Sequence, residues 1–236
     1  MSEGAGAGRT SFRPPALYLI ASGSAVAPDA DAREAHATLL EVSARVLAAA
    51  QPFRRNDGSL PVAICLRETF LLASQLFSLA GDLVAITRNA GASLFINGRL
   101  DIALAVGATG VHLPAHGIPA RDVRAAAPHL RVGLSTHTVD DVQAAARDDV
   151  DFVVYGPVYE TPSKTGFLRP RGLGELARAA AVGVPVLALG GIAVGDVAGC
   201  VAAGAKGVAC IRAVFAAEDP AASTAAFLGC FTREER

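Results

Sequence analysis

The chain has 236 residues, of which 52% are hydrophobic and only 6% aromatic, and its formal net charge is −1. This length fits one large α/β domain or, less well, two small ones. The near-neutral charge and the lack of a basic stripe with aromatic residues argue against nucleic-acid binding, and no apolar run reaches membrane-spanning length. The four cysteines, Cys65, Cys200, Cys210 and Cys230, lack the spacing of a zinc site. We therefore expect a cytoplasmic protein that binds neither nucleic acid nor membranes.

Short apolar runs alternate with alanine-rich helical patterns along the chain. Most of the runs are continuously apolar, as in strands buried on both faces. Strands are predicted at 17–21, 62–66, 93–96, 110–113, 131–134, 152–155, 184–189 and 207–211. Helices are predicted at 31–50, 69–81, 99–106, 119–127, 139–147, 172–181, 194–203 and 219–231. Eight strands alternating with eight helices predict a single (β/α)8 TIM barrel. We expect this barrel to cover residues 14–236, after a flexible tail at 1–13.

Active sites of such barrels lie at the C-terminal ends of the strands. Gly190 and Gly191 follow the seventh predicted strand, and Ile211 and Arg212 lie at the end of the eighth. Barrels commonly bind phosphate on backbone N–H groups of these two loops, and glycine lets the backbone approach the anion. We therefore predict a phosphate site there, with a guanidinium contact from Arg212. The alternative is a tight turn into each following helix.

The loop after the sixth strand is the second candidate. It runs over residues 156–166, and Thr161, Ser163 and Lys164 give it two hydroxyl groups beside an ammonium group. Such a loop suits closure over an anionic substrate, although a solvated loop is the alternative.

Three other strands carry polar residues of interest. His137, after the fifth strand, can move a proton near neutral pH or can belong to a helix-capping segment. Arg67, after the second strand, can orient an anion with Glu68 holding it in place, or the two can form an ion pair. His112 lies within the fourth strand. If it faces the barrel interior, a hydrogen-bonded core histidine is favoured over a ligand.

In combination and in order, these residues resemble the thiamine phosphate synthase/thiazole tautomerase (TenI) family, from about residue 17 to 215. The motifs that carry the resemblance are LYLI at 17–20, LRE at 66–68, INGRLDIALA at 96–105, GVHL at 110–113, GLSTHT at 133–138, GPV at 156–158, TPSK at 161–164 and GGI at 190–192. The resemblance implies a TIM barrel of thiamine biosynthesis that binds a phosphorylated thiazole, and a possible homodimer. It also implies that Arg67, Asn97, Ser135 and Lys164 orient the thiazole and its carboxylate.

The family contains two activities, and the strand ends discriminate between them. The synthase joins a pyrimidine diphosphate to a thiazole phosphate with Mg²⁺, and its strand ends typically read QLREK, ND and GQxDxP. Here the corresponding segments read CLRET at 65–69, NG at 97–98 and PAHGIP at 114–119. Gly98 and Gly117 thus replace both aspartates expected to hold Mg²⁺, and Thr69 replaces the lysine.

The tautomerase branch resembles this chain more closely. It aromatises a carboxythiazole phosphate without a metal, and its proposed proton carrier maps onto His137, with His116 ranked second. The resemblance therefore implies a metal-independent thiazole tautomerase with no cofactor. The alternatives are a thiamine-phosphate synthase, which would need Mg²⁺, and a non-catalytic barrel that binds thiazole phosphate.

Overall fold

The computed structural model describes residues 12–29, 31–160 and 169–232, and it confirms the predicted barrel. Eight parallel strands close in sequential order, with the eighth paired to the first. The strands are β1 Leu17–Ala21, β2 Val62–Leu66, β3 Ser93–Asn97, β4 Gly110–Leu113, β5 Arg131–Thr136, β6 Phe152–Tyr155, β7 Val186–Leu189 and β8 Gly207–Cys210. Most of their side chains are buried, because helices cover the outer face while side chains fill the interior.

The α-helices that surround this barrel in the described residues follow the predicted pattern, apart from the limits of one long helix and two additional one-turn helices. They are α1 Gly23–Val26, α2 Ala32–Ala49, α3 Ala73–Ala90, α4 Leu100–Val106, α5 Ala120–Ala126, α6 Val139–Arg147, α7 Gly172–Ala180, α8 Val197–Ala202, α9 Arg212–Phe215 and α10 Pro220–Gly229. The one-turn helices α1 and α9 were not predicted as separate elements. None of the helices described is long and apolar enough to cross a membrane.

Helix α3 differs most from its prediction at 69–81. It begins only after Leu72, whose N–H donates to the Gln75 side chain at 2.9 Å. It ends at Gly91, which has a left-handed φ of 73° and terminates the helix. The prediction stopped too early because Asp82, Arg88 and Asn89 in the second half lie on the exposed face and interrupt the apolar pattern. Strand β7 likewise begins at Val186 rather than 184, since Pro185 has no N–H to donate to a ladder.

The barrel interior is filled mainly by aromatic rings below the C-terminal rim. Tyr18, Phe95 and Phe152 contact one another edge to face, with ring centroids 5.2 to 5.6 Å apart. Gly133 leaves room for this cluster, because a Cβ atom there would lie 2.5 Å from Cζ of Phe152. The rings form a packed floor under the strand ends, so a ligand at the rim cannot enter the barrel axis.

The opposite, N-terminal end of the barrel is closed by a residue of the predicted tail. The ring of Phe12 stacks on that of Phe152 at 6.0 Å, and the Arg131 guanidinium lies 5.1 Å from the Phe12 ring centroid. Residues 1–11 of the predicted tail lie outside the described residues.

Candidate active site

A cavity of about 370 Å³ opens at the C-terminal ends of β1, β2, β7 and β8. It brings together five residues predicted from the sequence: Arg67, Gly190, Gly191, Ile211 and Arg212. The remaining wall consists of Ser22, Ser24, Ala25, Pro157, Leu189, Ile192, Ala209, Cys210 and Ala213. The cavity thus lies between the two loops to which the sequence assigned a phosphate.

Backbone N–H groups without acceptors line this cavity. The N–H groups of Gly191, Ile192, Arg212 and Ala213 donate to no backbone or side-chain acceptor in the part of the chain that the structure describes. Gly191 and Ile192 follow β7, whereas Arg212 and Ala213 form the first turn of α9. Unpaired N–H groups from two adjacent loops are suitable donors for a phosphate group.

The glycine pair itself has a packing explanation. Gly190 and Gly191 have φ values of 103° and 66°, which other residues rarely adopt. A Cβ atom at Gly190 would lie 2.7 Å from Cα of Pro157, and one at Gly191 would overlap the carbonyl oxygen of Glu160. Glycine is therefore required here by the β6 loop, whether or not a phosphate binds. The unpaired N–H groups, rather than the glycines, are the observation that favours an anion.

Two serines in the cavity wall were not singled out by the sequence prediction as ligands. Oγ of Ser22 lies 2.8 Å from Oγ of Ser24, and both face the cavity beside α1. The N–H of Gly23 between them donates to the carboxylate of Glu68. The available sequence signal was the Ser-Gly-Ser segment directly after β1, where two hydroxyl groups follow a buried strand.

Arg67 and Glu68 do not form an ion pair with each other. Glu68 instead accepts from Gly23, so its carboxylate holds the β1 loop. Arg67 is exposed and lines the cavity, and its side chain has no hydrogen-bond or salt-bridge partner among the described residues. The guanidinium is therefore available to a ligand, as the functional interpretation of Arg67 requires.

A second group of residues lies on the rim formed by β3, β4 and β5. Asn97 pairs with His112 in the sheet, and both Asn97 and Ser135 are half-buried. The His112 ring is 4% exposed and lies between Tyr18 and Ser135, with Nδ1 3.1 Å from the Tyr18 hydroxyl and Nε2 2.9 Å from the Ser135 hydroxyl. His112 is thus the hydrogen-bonded core histidine that its position predicted.

His137 follows β5, and both its backbone N–H and its ring nitrogen Nδ1 have hydrogen-bond partners. Its backbone N–H and that of Thr138 each donate to the Asp141 carboxylate at 2.9 Å, and the Thr138 hydroxyl accepts from the Asp141 N–H at 3.1 Å. Burial alone would raise the pKa of Asp141, but hydrogen bonds from His137 and Thr138 lower it below its usual value. The capping interpretation is therefore correct for the backbone of this segment.

The side chain of His137 has a separate contact. Its Nδ1 atom lies 2.6 Å from the carbonyl oxygen of Gly156, which can only accept, so Nδ1 carries a proton. In the neutral ring Nε2 is then the basic nitrogen. Pro157, which follows Gly156, lines the cavity, so His137 adjoins the cavity without lining it.

His116 and the predicted loop residues are not part of this arrangement. Residues 114–119 are exposed, and His116 has no hydrogen-bond partner in the described ranges. Thr161, Ser163 and Lys164 lie outside the described residues, so their roles stay predictions.

The donor set at the rim does not fit a Mg²⁺ ion bound through protein carboxylates. Gly98 and Gly117 occupy the two expected aspartate positions, and the nearby Asp101 carboxylate is paired with Arg99 at 2.6 Å. Within the described residues, no three His, Cys, Asp or Glu side chains are grouped so that they can hold a metal ion.

The fold and this rim define a (β/α)8 barrel with backbone donors, a guanidinium group and a positioned histidine at its C-terminal end. The chain matches the family described as "Thiamine monophosphate synthase" (TMP-TENI) over residues 26–214. The chain therefore belongs to the thiamine monophosphate synthase/TenI family, a family of thiamine-biosynthesis enzymes, as the sequence motifs predicted.

Individual relatives agree with this family assignment. The chain is 42% identical over 175 residues to a putative thiamine-phosphate synthase of Geobacter sulfurreducens, a match covering 72% of this chain and 82% of that protein. It is 45% identical over 166 residues to the thiamine-phosphate synthase of Roseiflexus castenholzii, covering 70% and 73%. A solved thiamine phosphate pyrophosphorylase from Pyrococcus furiosus superposes with a TM-score of 0.75 at 26% identity, covering 91% and 94%. These names correspond to the alternative activity of the sequence prediction rather than to its main one.

Proposed function

We propose that the chain is a metal-independent thiazole tautomerase, which moves a proton on a carboxylated thiazole phosphate to give the aromatic isomer. The observation that carries this proposal is the contact between Nδ1 of His137 and the carbonyl oxygen of Gly156 at 2.6 Å. It fixes the ring and leaves Nε2 as the base at the end of β5. A histidine that is oriented in this way can remove a proton and return it elsewhere without a metal.

The substrate phosphate occupies the cavity between the β7 and β8 loops in this proposal. The N–H groups of Gly191, Ile192, Arg212 and Ala213 donate to its oxygens, and the Arg212 side chain adds a charged contact. The phosphate fixes the ligand at one side of the rim, so that the thiazole ring extends towards β5.

The ring and its carboxylate lie against the other side of the rim. Arg67 contributes a guanidinium group without a protein partner in the described residues, and Asn97 and Ser135 contribute half-buried polar groups. Thr161, Ser163 and Lys164 belong to the proposed ligand set through the family motif. In the reaction, Nε2 of His137 takes a proton from one ring carbon, and the imidazolium delivers it to another ring position. The number of protons in the substrate is unchanged, and no co-reactant is needed.

Thiamine-phosphate synthesis is the second candidate, and the names of the relatives favour it. A leaving pyrophosphate carries charge that a metal ion would neutralise. Gly98, Gly117 and Thr69 remove two carboxylates and an ammonium group from the positions where the synthase motif has them. The tautomerase proposal therefore has the stronger support from the residues of this chain.

Product analysis with the two substrate sets separates these activities. The purified chain is incubated with the carboxythiazole phosphate isomer, and separately with pyrimidine diphosphate plus thiazole phosphate, each with Mg²⁺ and with EDTA. We expect the aromatic carboxythiazole phosphate under both conditions and no thiamine phosphate. Mg²⁺-dependent formation of thiamine phosphate would establish the second candidate instead. Binding of thiazole phosphate without turnover of either set would indicate a non-catalytic barrel.

A further inference from the structure

A chain of hydrogen bonds crosses the barrel interior and ends at the rim. The Tyr18 hydroxyl lies 3.1 Å from Nδ1 of His112, and Nε2 of His112 lies 2.9 Å from the Ser135 hydroxyl. The three residues belong to β1, β4 and β5. Tyr18 is fully buried and His112 is 4% exposed, whereas Ser135 is half-buried. A buried polar chain therefore has one end in the aromatic floor and the other at the proposed substrate.

Tyr18 and His112, the two buried residues of this chain of hydrogen bonds, have one favourable arrangement of protons. If the phenol of Tyr18 donates to Nδ1, then Nε2 carries the ring proton and donates to Ser135. In the reverse arrangement Nδ1 donates to the phenol, and the buried phenol proton is left with the Cys65 sulfur, which is a weak acceptor. An imidazole nitrogen is a stronger acceptor for a buried hydroxyl proton than a thiol sulfur. The first arrangement is therefore favoured.

The charge state of the two side chains agrees with this direction. Burial, together with a smaller contribution from the nearby Arg67 cation, lowers the pKa of His112 to about 4, so the ring is neutral in any ordinary assay. Burial raises the pKa of the Tyr18 phenol well above its usual value, so Tyr18 retains its proton. A neutral ring with a donor at Nδ1 has a single proton, which lies on Nε2.

We infer that Tyr18 and His112 are positioning residues that make Ser135 a hydrogen-bond donor towards the substrate. The Nε2–H group of His112 occupies one lone pair of the Ser135 oxygen, so the hydroxyl proton points away from the floor. The hydroxyl proton is thus available to an acceptor group on the ligand. In the proposed substrate, that group is the thiazole carboxylate rather than a cationic or N–H group. The identity of this acceptor rests on the proposed function, whereas the direction of the hydrogen bonds does not.

Nuclear magnetic resonance tests the direction of the hydrogen bonds at His112 without any ligand. In ¹⁵N-histidine protein, His112 is assigned among the five histidines by loss of its signals in His112→Gln. We expect protonated Nε2 and unprotonated Nδ1, unchanged between about pH 5.5 and 9, because the ring has a pKa far below this range. Tyr18→Phe, which removes only the hydroxyl group, should allow both tautomers. A wild-type ring protonated at Nδ1 would overturn the inference, even if the protein proves to be a tautomerase.

Ligand selectivity tests the consequence at Ser135. Calorimetry compares carboxythiazole phosphate with thiazole phosphate that lacks the carboxylate. We expect Tyr18→Phe and Ser135→Ala each to weaken binding of the carboxylated ligand about tenfold, and the double variant to weaken it no further. Affinity for the ligand without the carboxylate should change less than about twofold. An equal loss for both ligands would mark a merely structural role and contradict the inference. If wild type binds neither ligand, the proposed function fails, while the resonance experiment still decides the direction.

Discussion

The guanidinium of Arg124 meets the carboxylate of Asp151 at the N-terminal end of the barrel, on the face opposite the candidate site. The side chains of this pair are only 12% and 3% exposed. Asp151 also accepts from the Val132 N–H at 2.7 Å and from Arg131 at 3.1 Å. One carboxylate thus joins α5, β5 and the start of β6.

We expect Asp151→Asn to lower the free energy of unfolding by about 3 kcal/mol, because it leaves buried guanidinium charge without a carboxylate. Denaturant unfolding at pH 7 measures this change. Asp122→Asn is the matched control, since Asp122 and Arg121 are 60% and 69% exposed. Its effect should stay within about 0.5 kcal/mol. Equal effects of the two variants would contradict the stabilising role of Asp151.

The Asp151 carboxylate should also make the free energy of unfolding depend on pH. Burial alone would raise the pKa of Asp151, but the hydrogen bonds from Arg124, Val132 and Arg131 outweigh it and hold the pKa below its usual value. A lowered folded-state pKa stabilises the protein above the unfolded-state pKa of about 3.9, and this contribution is lost as the pH falls through the folded-state value. The stability difference between wild type and Asp151→Asn should therefore be constant from pH 5 to 7 and shrink below about pH 4. A difference that grows in acid would contradict this sign.

Gly191 provides a test of the β7 loop that needs no ligand. A Cβ atom there would lie 2.9 Å from Cβ of Tyr159 and overlap the Glu160 carbonyl, at a φ of 66°. We expect Gly191→Ala to lower the free energy of unfolding by at least about 2 kcal/mol, as for a strained backbone position. Gly195→Ala is the control, because nothing lies within 4 Å of an added Cβ and its φ is not positive. Thermal unfolding compares the two, and a neutral Gly191→Ala would refute the packing requirement.

The barrel could be predicted well from the sequence because the patterns that indicate its strands and helices are local. Continuous apolar runs and the residues between them establish strand count and order. The strand limits differ from the prediction by at most two residues, whereas the limits of α3 differ most. The interaction of Glu68 with Gly23 was not predicted, since it joins two loops 45 residues apart. Gly191 was predicted as a phosphate ligand and lies in the cavity wall, but its packing against Glu160 depends on the path of the β6 loop. Side-chain pairing across strand ends requires the folded register, which residue patterns alone do not contain.

The phosphate proposal predicts a ligand preference that depends on Arg212. We expect wild type to bind thiazole phosphate more tightly than the corresponding alcohol. Arg212→Ala should reduce the phosphate affinity about tenfold and leave the alcohol affinity unchanged, because a hydrogen bond to a charged group contributes about 1.5–3 kcal/mol and this side chain is exposed. Arg121→Ala, an exposed arginine on α5, serves as the control. Calorimetry measures all six affinities, and equal wild-type affinities for the two ligands would contradict the phosphate assignment.

Metal independence predicts that EDTA leaves the tautomerase activity unchanged. We also expect that the double variant Gly98→Asp/Gly117→Asp does not form thiamine phosphate with Mg²⁺. Gly98 has a φ of 68°, so an aspartate there would have a strained backbone. A Cβ atom at Gly117 would lie 2.9 Å from Cδ of Pro114, so an aspartate there would be crowded. Thr69 would still lack an ammonium group. Product analysis by mass spectrometry tests both statements, and robust Mg²⁺-dependent synthesis by wild type would support the synthase instead.

His137 is the residue on which the proposed reaction depends most directly. General acid–base catalysis typically contributes about 10²–10⁴-fold to a rate, and Gln cannot exchange a proton. We expect His137→Gln to reduce turnover by roughly this factor, while the affinity for thiazole phosphate changes only a few-fold, because His137 does not line the phosphate cavity. Steady-state kinetics and calorimetry measure these two effects separately.

His116→Asn is the matched comparison, because His116 is an exposed histidine at the same end of the barrel. Since it lacks a contact like that of His137 Nδ1 with the Gly156 carbonyl, we expect near-normal turnover. The opposite result, with slow turnover in His116→Asn and normal turnover in His137→Gln, would identify His116 in the loop after β4 as the proton carrier. The tautomerase proposal would then still stand. If both variants turn over the authentic substrate normally, another group transfers the proton. A complete lack of turnover in wild type would instead leave a barrel that only binds the thiazole phosphate.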